Sequence, residues 1–275
     1  MKYFLILLGL PLIFFGCSLQ KKSVSPNSQV AQAPNDNAGN PEKNGLPKIN
    51  QENTDTETKI PILMFHYVRV ADKSKDPLGY NLSVDPETFG KELAWLKKNG
   101  YTTIPIRGIE DGKVPEKSVV LSFDDGYEDF YSAALPLLQK YEFGASVGII
   151  TSKINQAGYL SDSQIMDLIT NNIEVVSHSE SHPDLTKISP DKAQKEIRES
   201  KNFLENKLGI SIGSFVYPSG EYNGEIEKIV KDSGYLTALT TQPGMADAKG
   251  NLLELKRIRI DNRDGFEGFK KKITN

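Results

Sequence analysis

Two adjacent carboxylates, Asp124 and Asp125, end the apolar run LSFDD in a chain of 275 residues. Like charges side by side repel each other, and burial raises the pKa of a carboxyl group, so this placement needs a compensating charge. The chain has only three histidines, which are His66, His178 and His182. Each lies at or just past the end of an apolar run, as the two aspartates do. These five groups are candidates for one reactive site.

His178 and His182 lie four residues apart in VVSHSESHPDL, where Pro183 favours a strand leading into a turn over the middle of a helix. Two neutral imidazoles and one carboxylate make a three-ligand catalytic zinc site with one position left for water. Such a cation keeps one of the two aspartates ionised, and the other aspartate is then free to take a proton. A single histidine is more often a packing residue, but the five groups together favour a site.

Short apolar runs alternate with segments of helical periodicity from residue 59 onward. The predicted strands are 60–68, 101–106, 118–124, 145–150, 173–179, 213–218, 236–241 and 255–260. Predicted helices begin after Asp85, Ser161 and Ser189. This alternation predicts an α/β barrel or a doubly wound sheet. In a barrel the C-terminal ends of the strands share one edge, so the five reactive groups would converge there.

The composition excludes some classes of partner and of site. With 33 basic and 36 acidic residues the formal net charge is −3, so the chain lacks the basic surplus that nucleic-acid backbones demand, and we expect no nucleic-acid partner. The single cysteine, Cys17, excludes an internal disulfide and any zinc site built from several cysteines.

Cys17 follows a short apolar stretch that begins after Lys2. This arrangement resembles a bacterial lipoprotein signal, which implies a signal peptide over 1–16 and a lipidated Cys17 that anchors the protein to the membrane outside the cytoplasm. Residues 17–58 are polar and rich in proline, asparagine and serine, which predicts a disordered tether. An uncleaved anchor or an ordinary signal peptide is the alternative, and either one also places 59–275 outside the cytoplasm.

Three motifs, SFDDGY, SHSESH and FVYPSGEY, occur in an order and spacing similar to those of the polysaccharide deacetylases of carbohydrate esterase family 4, the NodB-homology domain. The resemblance covers about 61–260. It implies a distorted (β/α) barrel over the domain 59–275, with Asp124 as general base. The implied ligands of a divalent metal, Zn²⁺ first and Co²⁺ or Ni²⁺ as alternatives, are Asp125, His178 and His182.

The third motif departs from the family pattern R-x-P-Y, because Val216 stands at the arginine position and Ser219 at the tyrosine position. Arg257 or Arg259 on a later strand could supply the missing guanidinium, although a surface or structural charge is the simpler interpretation of each. The backbone N–H of Ser219 would serve by position as the oxyanion donor, and Tyr217 is the candidate for a substrate contact beside it.

The family's final motif, L-x-H, is absent, since the chain reads LKRIRID and has no histidine after His182. The early motif MFHYV instead resembles the N-terminal motif of the subgroup that includes the poly-N-acetylglucosamine deacetylases. That resemblance implies that the acid comes from the first strand. We therefore expect His66 to act as general acid.

Aromatic residues near the motifs are candidates for a sugar-stacking platform, although core packing explains most of them equally well. These candidates are Tyr67, Tyr127, Tyr217 and Tyr222. Trp95 is expected in the core between a helix and the barrel. Glu128 and Asp129 are expected to form the solvated start of a helix.

The resemblance thus implies metal-dependent hydrolysis of N-acetyl groups from the N-acetylglucosamine residues of an extracellular or cell-wall polysaccharide, either peptidoglycan or poly-N-acetylglucosamine, with release of acetate. One alternative is a catalytically weak glycan-binding lipoprotein, which the intact pair Asp124 and Asp125 and the presence of all three histidines disfavour. The other is a zinc amidohydrolase acting on a small amide, which secretion disfavours.

Overall fold

The computed structural model describes residues 59–110 and 114–274. The predicted signal peptide (1–16), the lipidation site Cys17 and the predicted tether (17–58) lie outside these residues and stay predictions. None of the described helices is both long and apolar enough to cross a bilayer.

The described strands are β1 (Lys59–Ile60), β2 (Ile62–Phe65), β3 (Tyr67–Val68), β4 (Ser83–Val84), β5 (Thr102–Thr103), β6 (Ser118–Phe123), β7 (Ala145–Ile149), β8 (Ile173–Ser177), β9 (Ser214–Val216), β10 (Thr237–Pro243), β11 (Ala246–Asp247) and β12 (Leu255–Arg259). The described helices are α1 (Pro77–Tyr80), α2 (Pro86–Lys98), α3 (Leu135–Tyr141), α4 (Asp162–Thr170), α5 (Pro190–Leu208), α6 (Gly224–Asp232) and α7 (Gly265–Thr274). Each of the eight predicted strand segments contains strand residues.

Seven parallel strands close into a barrel in the order β2, β12, β10, β9, β8, β7 and β6, and β6 pairs again with β2. β5 adds to the side of β6, and β1 pairs with β11 in a separate antiparallel ribbon. The closed ring confirms the predicted distorted (β/α) barrel and rules out the doubly wound sheet, which would have two open edges. All seven strands point their C-terminal ends at one mouth.

Apolar side chains fill the base of the barrel interior. Six of the seven strands contribute one residue each, namely Ile62, Val120, Val176, Val216, Leu239 and Leu255. The seventh strand, β7, contributes Gly148, where an added Cβ would lie 3.4 Å from the Val216 side chain. Because side chains alternate along a strand, the next inward positions on β6 after Val120 are Ser122 and then Asp124. The inner face of β6 therefore runs from a packed base to a polar mouth.

The helices form an outer layer around the barrel, and the first residues of α2, α4 and α5 follow the predicted capping residues. Asp85 caps α2, and Ser161 and Gln164 form a capping box at α4, as predicted. Helix α5 begins directly after the predicted Ser189, whose side chain makes no capping hydrogen bond. Trp95 on α2 packs in the expected core position, where other aromatic rings of the outer layer surround it.

Candidate active site

A carboxylate and two imidazoles meet at the mouth beside β6 and β8. Asp125 lies just past the end of β6, His178 follows β8 directly, and His182 lies four residues further on. Oδ1 of Asp125 is 3.3 Å from Nε2 of His178 and 3.6 Å from Nε2 of His182. Their three ligand atoms all lie within 4.8 Å of one another. This donor set fits a divalent transition ion, because zinc accepts histidine nitrogen and carboxylate oxygen at a three-ligand catalytic site.

The backbone around this cluster is in the left-handed region that residues other than glycine rarely adopt. Asp125 has φ 74°, Ser179 has φ 64° and His182 has φ 62°. The hydroxyl of Ser179 accepts a hydrogen bond from the N–H of His182 at 2.9 Å, which holds this turn. Such conformations cost free energy and persist where the surrounding structure imposes them, often at functional sites.

The orientation of His178 is fixed by the strand beside it. Its Nδ1 lies 2.8 Å from the carbonyl oxygen of Val216, so Nδ1 carries the hydrogen of that contact and Nε2 faces Asp125. Burial works to lower the pKa of His178, but the neighbouring Asp125 and Asp124 raise it overall. Burial and the nearby His178 lower the pKa of His182.

The second aspartate, Asp124, is bound by an arginine from the last strand. Nη1 of Arg257 donates to Oδ1 of Asp124 at 2.7 Å, and Nη2 donates to Oδ2 at 2.8 Å. The guanidinium also donates from Nε to the carbonyl oxygen of Thr240, and its side chain is fully buried. Burial alone would raise the pKa of Asp124, but the Arg257 guanidinium brings it well below its usual range.

Arg257 is therefore not a surface charge. The guanidinium that binds Asp124 comes from β12. The arginine position of the third motif is occupied by Val216 on β9, which is part of the apolar base of the barrel. Alternation along LKRIRI could have indicated this, because Leu255, Arg257 and Arg259 share one face of the strand.

His66 completes this half of the mouth from the end of β2. Its Nε2 lies 3.9 Å from Oδ2 of Asp124, so Asp124 stands between Arg257 and His66. Burial lowers the pKa of His66, an effect that the charges of Asp124 and Asp125 only partly offset. The five predicted reactive groups are thus brought together at one mouth, in two clusters that share β6.

Asp129 was predicted to lie in a solvated helix start, which is wrong. A helical turn does begin there, but Oδ2 of Asp129 accepts a hydrogen bond from the N–H of Val68 at 2.9 Å. Its Oδ1 is buried and has no hydrogen-bond partner among the described residues. Burial raises the pKa of Asp129 to about 6. Through this hydrogen bond Asp129 fixes the backbone just after His66. The polar sequence GYEDFY gives no sign that Asp129 is buried, so the sequence alone does not reveal this structural role.

Tyr67 and Tyr127 lie near the mouth, but their faces are covered. The two rings stack on each other with centroids 3.8 Å apart. The guanidinium of Arg69 covers the Tyr67 ring at 3.8 Å, and Tyr159 lies 5.1 Å from the Tyr127 ring. A pyranose stacks on a free aromatic face, and neither ring offers one. The stacked rings therefore do not form the predicted sugar-stacking platform, and they shape the side of the mouth instead.

Tyr217 does not reach the mouth. It is fully buried in the outer layer, where it stacks on Tyr222 at 4.8 Å, and its hydroxyl has no hydrogen-bond partner among the described residues. Its burial leaves no surface for the predicted substrate contact. Ser219, by contrast, is exposed in the turn Pro218–Gly220 with φ 55°, and its N–H makes no hydrogen bond within the described residues. That N–H is available to a ligand, as the oxyanion prediction requires.

Comparisons with known proteins agree with this geometry. The model of the polysaccharide deacetylase family matches residues 111–238. The chain is 32% identical over 212 residues to YxkH of Bacillus subtilis, whose name places it among polysaccharide deacetylases, across 75% of this chain and 73% of that protein. It is 26% identical over 251 residues to the poly-beta-1,6-N-acetyl-D-glucosamine N-deacetylase of Staphylococcus epidermidis, across 80% and 86% of the two chains. The solved Streptococcus pyogenes deacetylase PplD, in complex with acetate, superposes with a TM-score of 0.74 at 33% identity, over 79% of this chain and 99% of that one.

Proposed function

Because the chain belongs to the polysaccharide deacetylase family, whose members are hydrolases of carbon–nitrogen bonds, we propose that it removes N-acetyl groups from N-acetylglucosamine residues of a polysaccharide. The observation that carries this proposal is the three-donor cluster beside a second, separately held carboxylate at one mouth. A relative named for poly-beta-1,6-N-acetyl-D-glucosamine supports the choice of sugar.

Asp125, His178 and His182 would hold a divalent metal, with Zn²⁺ the first choice and Co²⁺ or Ni²⁺ compatible with the same donors. A metal bound there supplies Lewis-acid polarisation of the amide carbonyl and a lower pKa for water. Ser219 would donate its backbone N–H to the developing carbonyl oxygen, a role that its side chain does not enter.

Asp124 takes a proton from the attacking water as the new carbon–oxygen bond forms. The Arg257 fork makes Asp124 a weak base, so the proton does not remain there. His66, 3.9 Å away and kept neutral by burial, accepts the proton and delivers it to the amine nitrogen as the carbon–nitrogen bond breaks. Acetate and a free amine on the sugar are the products.

The substrate and location follow from the sequence as further parts of the proposal. A lipidated Cys17 and the 17–58 tether would hold domain 59–275 outside the cytoplasm, within reach of peptidoglycan or exported poly-N-acetylglucosamine. Membrane fractionation of cells producing the wild type or Cys17→Ala tests the anchor. Release of the variant into the soluble extracytoplasmic fraction is expected, and an unchanged membrane fraction would contradict it.

The activity test incubates the purified protein with β-1,6-linked N-acetylglucosamine oligomers and with peptidoglycan fragments. Acetate and free amine are measured before chelation, after chelation and after zinc is restored. We expect one acetate per amine and a loss that zinc reverses. Asp124→Asn and His66→Ala should bind zinc as the wild type does yet lose most turnover. The control Asp191→Asn, which changes an exposed residue on α5, should keep both zinc binding and turnover. Activity that resists chelation, or full turnover of His66→Ala, would reject the corresponding role.

A further inference from the structure

A second arginine, Arg259, ends β12 at the mouth. It lies two residues after Arg257 and therefore on the same face of the strand, one step nearer the opening. Its register partner on β2 is Met64, two residues before His66, and the N–H of the next residue donates to the Met64 carbonyl oxygen at 3.0 Å. The guanidinium of Arg259 is thus placed at the His66 side of the mouth.

The Arg259 guanidinium is half-buried and makes no hydrogen bond or ion pair within the part of the chain that the structure describes. The acids close enough to influence it, Asp124 and Asp261, are taken by other guanidinium groups. Asp124 is bound by Arg257, and Asp261 accepts from Nε of Arg263 at 2.8 Å. A guanidinium stays protonated at neutral pH, so the positive charge of Arg259 at the mouth has no hydrogen-bonded or ion-paired partner among the described residues.

We propose that Arg259 forms an anion subsite that binds an oxyanion substituent of the polysaccharide, a carboxylate or a phosphate, next to the sugar being deacetylated. The planar fork of arginine matches both groups through two parallel hydrogen bonds. This inference rests on the proposed function and makes the substrate an acidic glycan, in preference to neutral poly-N-acetylglucosamine.

The position of the subsite follows from the proposed role of His66. His66 hands a proton to the amine that stays on the sugar, so a group beside His66 faces the sugar ring and its neighbours. The acetyl group faces the opposite cluster of Asp125, His178 and His182. Product acetate is also a carboxylate, but it leaves on that opposite side.

The test uses the full-length zinc-loaded protein and three oligomer series of equal length. One series is neutral, one carries a carboxylate on the sugar beside N-acetylglucosamine, and one carries a phosphate ester there. We expect the wild type to favour at least one acidic series by about tenfold in kcat/KM, and high salt to reduce this preference. Which acidic series is favoured identifies the oxyanion.

Arg259→Gln is expected to bring the acidic-to-neutral ratio close to one, mainly through KM, and Arg259→Lys to retain part of it. Lys256→Gln, an exposed charge on the same strand, is the matched control and should keep the ratio. Thermal melts check that each variant is folded. Equal use of all three series by the wild type, or the same loss in Lys256→Gln, overturns the subsite.

Acetate inhibition separates the product from the substrate substituent. If Arg259→Gln weakens inhibition by acetate but keeps the acidic-to-neutral ratio, Arg259 serves the product and the subsite is overturned. Titration of each glycan into Asp124→Asn, with and without Arg259→Gln, measures the subsite without turnover. Absence of deacetylation in every series would refute the proposed function, while charge-selective binding that depends on Arg259 would still support the subsite.

Discussion

The mouth of the barrel has two sides that manage charge differently. On the side of β6 and β8, Asp125 faces two imidazoles, and His182 keeps 29% of its side chain exposed. On the side of β2 and β12, Asp124 is 4% exposed and is neutralised by Arg257, which is fully buried. The first side is open to an external cation, whereas the second carries its own. We therefore expect changes on the first side to affect metal binding, and changes on the second to affect the stability of the fold.

Arg257→Met should have the largest effect on stability. Removing one partner of a buried ion pair leaves an uncompensated charge, which costs about 3–5 kcal/mol in free energy of unfolding. Urea denaturation at neutral pH measures the loss. The double variant Asp124→Asn with Arg257→Met should be less destabilised than the single variant, because no buried charge is left alone. If the free energy of unfolding of Arg257→Met is within about 1 kcal/mol of the wild-type value, the two sides of the mouth do not differ in their contribution to stability.

Asp129→Asn sharpens the contrast, because Asp129 is a half-buried acid on the His66 side to which no cation among the described residues is hydrogen-bonded. Its pKa in the fold is about 6, above the ordinary 3.8, so the fold favours the protonated form. Below pH 3.8 the carboxyl group is protonated in both states and does not lower the free energy of unfolding. As pH rises from 3.8 through 6, ionisation of Asp129 lowers the free energy of unfolding, by about 3 kcal/mol near neutrality. Urea titrations from pH 4 to pH 7 should show wild type losing about that much relative to Asp129→Asn.

The amide keeps an acceptor for the N–H of Val68, so the comparison isolates the charge. Asp191→Asn, exposed on α5, provides the control and should keep a constant difference from wild type across this range. A pH-independent difference for Asp129→Asn as well would show that Asp129 titrates as an ordinary exposed acid.

His182→Ala tests the open side. Without metal its free energy of unfolding should change by less than about 1 kcal/mol, since the side chain is partly exposed and its contact with Asp125 at 3.6 Å is an ion pair only when His182 is protonated. Zinc at 100 times its Kd should stabilise the wild type by about 2.7 kcal/mol. The variant should lose this gain, which thermal melts with and without zinc measure, with chelated wild type as the reference. Equal stabilisation of both proteins would show that zinc binds elsewhere.

The same two sides explain what the sequence could predict. Asp125, His178 and His182 come from two short motifs, so their spacing alone indicates a metal site and a shared mouth. Arg257 binds an acid 133 positions earlier in the chain. That contact depends on barrel closure, which places β12 beside β2 and β2 beside β6. Alternation placed the arginine on the inner face, but nothing local selected it over Arg259.

Two errors have a common physical cause. Local polarity close to a motif suggests a solvated or ligand-binding residue, yet Asp129 is half-buried against the backbone of Val68 and Tyr217 is fully buried. Their burial depends on which elements cover them, a property of the tertiary fold that local polarity does not report. The strands and helix starts were predictable because apolar periodicity and capping residues act over a few positions.

Tyr217→Phe should have the smallest effect on stability, and it tests whether Tyr217 belongs to the substrate-binding mouth. The Tyr217 hydroxyl is buried without a hydrogen-bond partner among the described residues, so its removal relieves a desolvation cost and should raise the free energy of unfolding by about 1 kcal/mol. Turnover should not change, because the ring does not reach the substrate. Tyr222→Phe is the matched control, since it loses a hydrogen bond from Gln242 at 2.8 Å and should be slightly less stable than wild type. A tenfold fall in turnover of Tyr217→Phe at unchanged stability would instead restore Tyr217 as a substrate contact and extend the mouth to β9.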